Sequence, residues 1–351
     1  MLRPVTLGAL SLRNGVIMAP MTRSRAGPGD VPGALAVAYY GARASAGMII
    51  TEGTQPSAHG KGYARTPGLY SAEQLAGWQR VTEAVHAAGG TIVLQMMHVG
   101  RIASRLNKDA DARTVAPSAV RASGRIFTDA AGLVEFDTPL ELSVEGIRDT
   151  IGEYAQSARA AQLAGFDGVE LHAASGYLPM QFLSTGTNLR RDAYGGTLAK
   201  RLRFVIEVLE TLAEVWGADR VGLRICPGNP FNDMRDEDPV GTYTALLGAV
   251  SAMDLAYLHV IRSPLTSIDA FALARACFPG PRILNDGFDF ASGNAALDSG
   301  AAAAVSYARN FIANPDLVER YARGLPLAAF DRRTLYTPGA EGYTSYPPYA
   351  G

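Results

Sequence analysis

Residues 147–172 read IRDTIGEYAQSARAAQLAGFDGVELH, and the passage divides into two elements. In the first half Ile147, Ile151, Tyr154, Ala158 and Ala161 recur at steps of four and three, which lays a single apolar stripe along a helix. In the second half Asp167–His172 is a short apolar run that reads as a strand. The same pair follows at once: Leu198, Leu202, Val205, Leu209 and Leu212 repeat the spacing, and Arg220–Ile225 is the next strand. Working outward, the runs Gly15–Ala19, Gly47–Glu52, Thr91–Met96, Ala256–Ile261, Arg282–Asn285 and Ala302–Tyr307 bring the strands to eight. Near-continuously apolar strands alternating with one-sided helices need a parallel sheet covered by helices, and eight such units suit closure. The prediction is an α/β fold, a (β/α)8 TIM barrel. An open doubly wound sheet is the alternative, disfavoured because no G-x-G-x-x-G follows the first strand.

Three segments stand outside the repeat. Residues 1–13 predict a short hairpin lidding the barrel floor. Residues 97–142, between strand three and its helix, exceed a simple βα loop and predict a lid or subdomain over the mouth. The tail 336–351 is aromatic and proline-rich, and is expected to pack on the barrel. All of 1–351 is then one barrel domain. The 351 residues are 48% hydrophobic, enough for one large core, and 32 Lys+Arg balance 33 Asp+Glu without a run of like charge. That balance argues against nucleic acid or an anionic membrane as partner. Two cysteines, Cys226 and Cys277, make neither a disulfide scaffold nor a C-x-x-C site. No two histidines are closer than 12 positions, so no metal site is expected. Without a signal-like N-terminus or a long apolar run, the chain reads as cytoplasmic, and as a monomer or homodimer.

A barrel enzyme carries its reacting groups at the C-terminal ends of its strands, and here those ends are polar. Strand one closes in Ala19-Pro20-Met21-Thr22-Arg23, strand two in Thr51-Glu52-Gly53-Thr54, and strand three in Gln95-Met96-Met97-His98. His172-Ala173-Ala174-Ser175-Gly176-Tyr177 follows strand four, Arg224-Ile225-Cys226-Pro227 closes strand five, and Tyr307-Ala308-Arg309-Asn310 closes strand eight. With Asn188–Gly196 and Arg309–Leu317, these motifs in this order resemble the old yellow enzyme family of flavin-dependent ene-reductases along nearly the whole chain.

The resemblance implies FMN held noncovalently over the barrel mouth, reduced by NADPH or NADH, and passing hydride to an alkene conjugated to a carbonyl or nitro group. Gln95 and Arg224 match the positions that donate to the pyrimidine oxygens, where charge develops on reduction. An Arg224–Glu170 ion pair inside the barrel is an alternative for that arginine. Thr22 matches the residue whose hydroxyl reaches the flavin, with Pro20 and Met21 beside it and Gly53 from the next strand end. Gly287, Ala308 and Arg309 match the phosphate site, although Asp286 and Ala308 stand where glycine is usual. Met97, Phe231 and Tyr336 match the substrate-pocket lining, or are simply packing. His98, His86 and His259 read as structural: a loop hydrogen bond, an exposed helix residue and a core residue.

The resemblance makes His172, Ser175 and Tyr177 the catalytic run. In most of the family two donors at the first two positions hold the substrate oxygen, and the tyrosine protonates the alkene carbon. Were the run a helical turn, positions i and i+3 would share a side and i+5 would rotate away. Ser175 stands where His or Asn is usual, and its hydroxyl is a shorter donor. Three readings remain open: a weakened ene-reductase, a redox-neutral isomerase or dedicated biosynthetic enzyme with a specialised substrate, and a noncatalytic flavin-binding protein. Two cysteines exclude the iron–sulfur relatives.

Overall fold

The computed structural model describes residues 1–349. Eight parallel strands close into a barrel in chain order, the last pairing with the first. They are β1 (Val16–Met18), β2 (Met48–Ile50), β3 (Ile92–Met96), β4 (Gly168–Ala173), β5 (Val221–Ile225), β6 (Tyr257–Ile261), β7 (Arg282–Asn285) and β8 (Ala304–Tyr307). Helices cover the outside. The stripe read from residues 198–212 becomes the helix Leu198–Trp216, which buries Leu202, Val205, Leu209 and Leu212. The stripe read from 147–161 becomes Val144–Leu163, with Ile147, Tyr154, Ala158 and Ala161 buried.

Inside the barrel the pleat sorts side chains into two layers. The lower layer is apolar: Ile17, Met48, Val93, Tyr257 and Ile283 pack together. The N-terminal hairpin (Val5–Leu7 with Leu10–Leu12) closes it from below through Leu7, Leu10 and Leu12. Gly8 turns that hairpin at φ 55°, a conformation that favours glycine, while the Ala9 N–H donates to the Asp219 carbonyl at 2.8 Å. Two residues further along the strands, Val93 gives way to Gln95, Tyr257 to His259, Ile283 to Asn285 and Ala304 to Ser306. These polar residues face the same interior because side-chain direction repeats every second residue.

The excursion between β3 and the following helix contains a hairpin, Arg125–Thr128 paired with Gly132–Glu135. Beside it Arg65 reaches three segments: its guanidinium donates to the Ser24 carbonyl (3.0 Å), to the Tyr336 carbonyl (2.9 Å) and to Asp129 of the hairpin. The tail crosses the barrel top, where Tyr343 is buried and stacks on Tyr39 with ring centroids 4.1 Å apart. Two buried arginines hold it. Arg23 donates to the carbonyls of Leu335 (3.3 Å) and Gly342 (2.6 Å), and Arg25 to those of Thr334 (2.7 Å), Leu335 (2.8 Å), Gly339 (3.2 Å) and Glu341 (2.9 Å). Among the described residues no helix is long and apolar enough to cross a membrane.

Glu52, at the end of β2, accepts the Arg23 backbone N–H at 3.0 Å and the Tyr40 hydroxyl at 3.4 Å. Burial pushes its carboxyl from 4.5 up to about 7, with the Arg23 N–H and charge offsetting part of the rise. The folded protein therefore holds this proton more tightly than the unfolded chain, and stability falls as pH rises between 4.5 and about 7. Glu52→Gln removes that slope, which amounts to roughly 3 kcal/mol at most for a single group. Melting temperatures across this pH range check it: the wild type should lose more than the variant, and parallel curves would sink the assignment.

Candidate active site

A cavity of about 1050 Å³ opens at the C-terminal end of the strands. That is at the upper end of the ~300–1,000 Å³ typical of ligand pockets. Pro20, Met21 and Thr22 line it from beyond β1, Gly53 from beyond β2, Gln95 and Met97 from the end of β3, and Arg224 from β5. His172, Ser175 and Tyr177 come from β4 and the loop after it, and Ala308 and Arg309 from beyond β8. Phe231 and Tyr336 stand at the rim, both more than half exposed. Of the residues expected to bind the cofactor, catalyse or line the substrate pocket, only Gly287 is not part of this wall. It turns the chain after β7 at φ 78° beside the Arg262 guanidinium.

The catalytic run is not a helical turn. His172 still belongs to β4, and the chain then passes through Ser175 (φ 57°) and Gly176 (φ 78°), both left-handed, before Tyr177 caps the helix Leu178–Leu183. Two consecutive left-handed residues redirect the loop at the strand end, and all three side chains line the same cavity. The Ser175 conformation is held from both sides: its N–H lies 3.0 Å from Cys226 Sγ, and its carbonyl accepts from Asn232 Nδ2 at 2.8 Å. Among the described residues its hydroxyl has no protein partner and is left to the cavity.

His172 and Tyr177 pack edge to face with centroids 4.9 Å apart. Burial, reinforced by Arg224 and His259, lowers the His172 pKa well below its ordinary value, so the ring is neutral. Its Nδ1 accepts the Ala174 N–H at 3.3 Å, which leaves the proton on Nε2. The ring thus offers the cavity an N–H donor. Burial raises the Tyr177 phenol well above its usual range, with Tyr63 adding to the effect, so the hydroxyl keeps its proton at neutral pH. The Tyr63 and Tyr177 hydroxyls are 3.1 Å apart.

On the floor Gln95 Nε2 donates to Glu170 at 2.7 Å and Arg224 Nη2 to Asn285 Oδ1 at 2.9 Å. The Arg224–Glu170 contact allowed by the sequence is not made directly, because each group is bonded to another neighbour. Arg224 Nε is buried without a partner. A buried donor with no acceptor is costly unless a ligand completes it. That orphaned N–H, with the remaining amide hydrogen of Gln95, fits an acceptor-rich ring edge such as the pyrimidine end of FMN. At the far end Arg309 Nη2 lies 3.8 Å from Asp286 Oδ1, both groups being exposed. The carboxylate therefore competes for the arginine that would face the phosphate.

Sequence reasoning missed several wall residues. Tyr63 sits in the loop after β2 without a motif to mark it, and Ile126, Phe127 and Asp129 reach the cavity from the hairpin of the excursion. Met97 packs so close to Gly53 that a Cβ there would strike its sulfur, so this glycine also serves packing. Three further histidines singled out from the sequence lie elsewhere. His98 is fully buried and accepts the Gly100 N–H, His86 pairs with Asp167 on the surface, and His259 sits between Glu170 and Ser306. Among the described residues no cluster of three or more His, Cys, Asp or Glu could hold a metal.

Residues 1–328 match the NADH:flavin oxidoreductase / NADH oxidase family. A probable flavin mononucleotide-dependent alkene reductase of Leishmania infantum is 41% identical over 355 residues, covering 99% of this chain and 97% of the relative. The chanoclavine-I aldehyde reductase of Penicillium roqueforti is 40% identical over 361 residues, covering 98% and 95%. Among solved structures, morphinone reductase superimposes with a TM-score of 0.94 at 44% identity, covering 99% of this chain and 96% of that one. An old yellow enzyme homologue from Zymomonas mobilis gives 0.95 at 36% identity, covering 99% of each. With the barrel, the polar mouth and these matches in agreement, the chain belongs to the NADH:flavin oxidoreductase / NADH oxidase family.

Proposed function

We propose that this chain is an FMN-dependent, NAD(P)H-driven reductase of alkenes conjugated to a carbonyl or nitro group. One observation carries the reading: a neutral His172 N–H, the Ser175 hydroxyl and a protonated Tyr177 share one cavity above the donors Gln95 and Arg224. FMN, when bound, would supply the hydride chemistry that links NAD(P)H to the alkene. Gln95 and Arg224 would hold its pyrimidine end, with Thr22 on the same cavity wall. His172 Nε2–H and the Ser175 hydroxyl donate to the substrate oxygen, where enolate charge develops. The Tyr177 hydroxyl delivers the proton to the adjacent carbon. The Tyr63 hydroxyl gives Tyr177 a hydrogen-bond partner at the moment its proton leaves. Phe231 and Tyr336 bound the substrate at the rim.

The test is anaerobic stopped-flow of the purified flavoprotein, reduced with NADPH and then mixed with 2-cyclohexenone. Reoxidation of the flavin establishes the reading. Turnover of a substrate without net NAD(P)H consumption would instead make it an isomerase, and a flavin that NAD(P)H does not reduce would make it a noncatalytic binder. Ser175→Asn sharpens the result. The left-handed backbone at 175 suits Asn among non-glycine residues, so the fold should be unaffected. The longer amide reaches the oxygen directly, and kcat/KM for cyclohexenone should rise about tenfold or more, below the full 10²–10³ that a preorganised donor brings. An unchanged or lower value would show that the hydroxyl already suits the native substrate.

A further inference from the structure

Directly beneath the cavity, six consecutive strands each contribute one polar side chain to a single interior layer: Gln95, Glu170, Arg224, His259, Asn285 and Ser306 from β3 to β8. Glu170 is at its centre and is 0% exposed. Its Oε1 accepts from Gln95 Nε2 at 2.7 Å, its Oε2 meets His259 Nδ1 at 2.8 Å, and His259 Nε2 reaches Ser306 Oγ at 2.8 Å. On the other side Arg224 donates to Asn285 Oδ1 and Asn285 Nδ2 donates to the Ser306 carbonyl at 3.0 Å. The apolar floor lies below the layer, and among the described residues Gln95 and Arg224 are the two of its six members that line the cavity.

A buried ion is a poor way to stabilise a barrel, because well-packed apolar residues of the same volume usually do as well or better. The geometry gives this one another use. A glutamine amide has two chemically different ends, and an ionised carboxylate can only accept. Burial on its own would raise the Glu170 carboxyl, but His259 and Arg224 hold it below the usual range, so it is ionised. It therefore fixes Gln95 with Nε2 on Glu170, and the carbonyl oxygen and second N–H of Gln95 remain for the cavity. The same negative charge lies beneath the guanidinium that faces the cofactor.

We propose that Glu170 is a positioning residue for the cofactor's pyrimidine end: it sets the direction of the Gln95 amide and partly offsets the Arg224 charge, and so lowers the reduction potential of bound FMN. This rests on the FMN reading above. Reduction brings negative charge to the ring edge over Arg224, and a second negative charge below that arginine opposes it. The carboxylate thus makes the reduced protein a stronger hydride donor.

Two variants separate charge from orientation. Glu170→Gln is nearly isosteric, keeps an acceptor for Gln95 and removes the charge. Its reduced:oxidised ratio at fixed redox poise should rise about tenfold, or about 30 mV for a two-electron couple. Reduction by NADPH should accelerate while reoxidation by cyclohexenone slows. Glu170→Asp keeps the charge but withdraws it from Gln95, so the potential should stay within about threefold in ratio while the FMN dissociation constant rises. A folded, FMN-loaded Glu170→Gln protein with the wild-type potential overturns the proposal. Should that variant not fold, Glu170→Asp with wild-type FMN affinity overturns it. Failure of the underlying reading would show separately, in wild-type protein that neither binds FMN nor passes hydride to an alkene.

Discussion

Replacing Tyr177 with phenylalanine should slow alkene-driven reoxidation of the reduced protein by about 10²–10⁴-fold while leaving its reduction by NAD(P)H unchanged. The asymmetry follows from where the proton is needed. Only the alkene half-reaction ends with a new C–H bond made from a protein proton, and Tyr177 is the phenol placed in the cavity with that proton firmly held. The fold should not notice the change. The Tyr177 ring belongs to a buried cluster with Met97, Val99 and Ile102 and lies edge-on to His172, and phenylalanine keeps the ring in place. The hydroxyl's partner, Tyr63, is only partly buried and faces the same cavity, so water can replace the lost bond. Single-mixing kinetics of the two half-reactions decide the matter. Equal slowing of both, or none in reoxidation, would remove Tyr177 from the proton-donor role.

His172→Ala should lower the rate of alkene reduction by about 10²–10³, corresponding to roughly 2.7–4 kcal/mol of lost transition-state stabilisation. The ring is neutral, its Nδ1 is occupied by the Ala174 N–H, and Nε2–H is its one remaining donor. Removing it leaves the enolate oxygen to Ser175, the shorter of the two donors. Exogenous imidazole should restore part of the rate by entering the space vacated, which a merely structural role for the ring would not allow. NADPH reduction need not change in parallel. If His172→Ala retained full alkene activity, the oxygen would have to be held by other groups.

The barrel was legible because strands buried on both faces write themselves as uninterrupted apolar runs. Gly15–Ala19 anticipated Val16–Met18 within one residue at each end, and Arg282–Asn285 coincided. The amphipathic helices were legible for the same reason, one face of each being spent on the sheet. The cavity wall was legible where strand ends carry polar residues against this background. The interior polar layer was not. Glu170 within Val169–Leu171, His259 within Leu258–Val260 and Ser306 within Val305–Tyr307 are single polar residues in apolar runs, and only strand register reveals that they touch. The loop after β4 departs from the helical turn weighed for it, because a left-handed serine leaves no periodic trace. Tyr63 and the hairpin residues reach the cavity from segments remote in sequence, so no local pattern could announce them.

The two arginines that fasten the tail bond to its main-chain carbonyls and to the hydroxyl of Thr337, and both guanidiniums also lie over the ring of Tyr343. Every amino acid supplies the same carbonyl. Whatever residue stands at 336 is delivered to the same rim of the cavity, and the anchorage does not sense its identity. The shape of that rim is thereby uncoupled from the anchorage: sequence drift or directed libraries at Tyr336 should vary the cavity mouth on an unchanged frame.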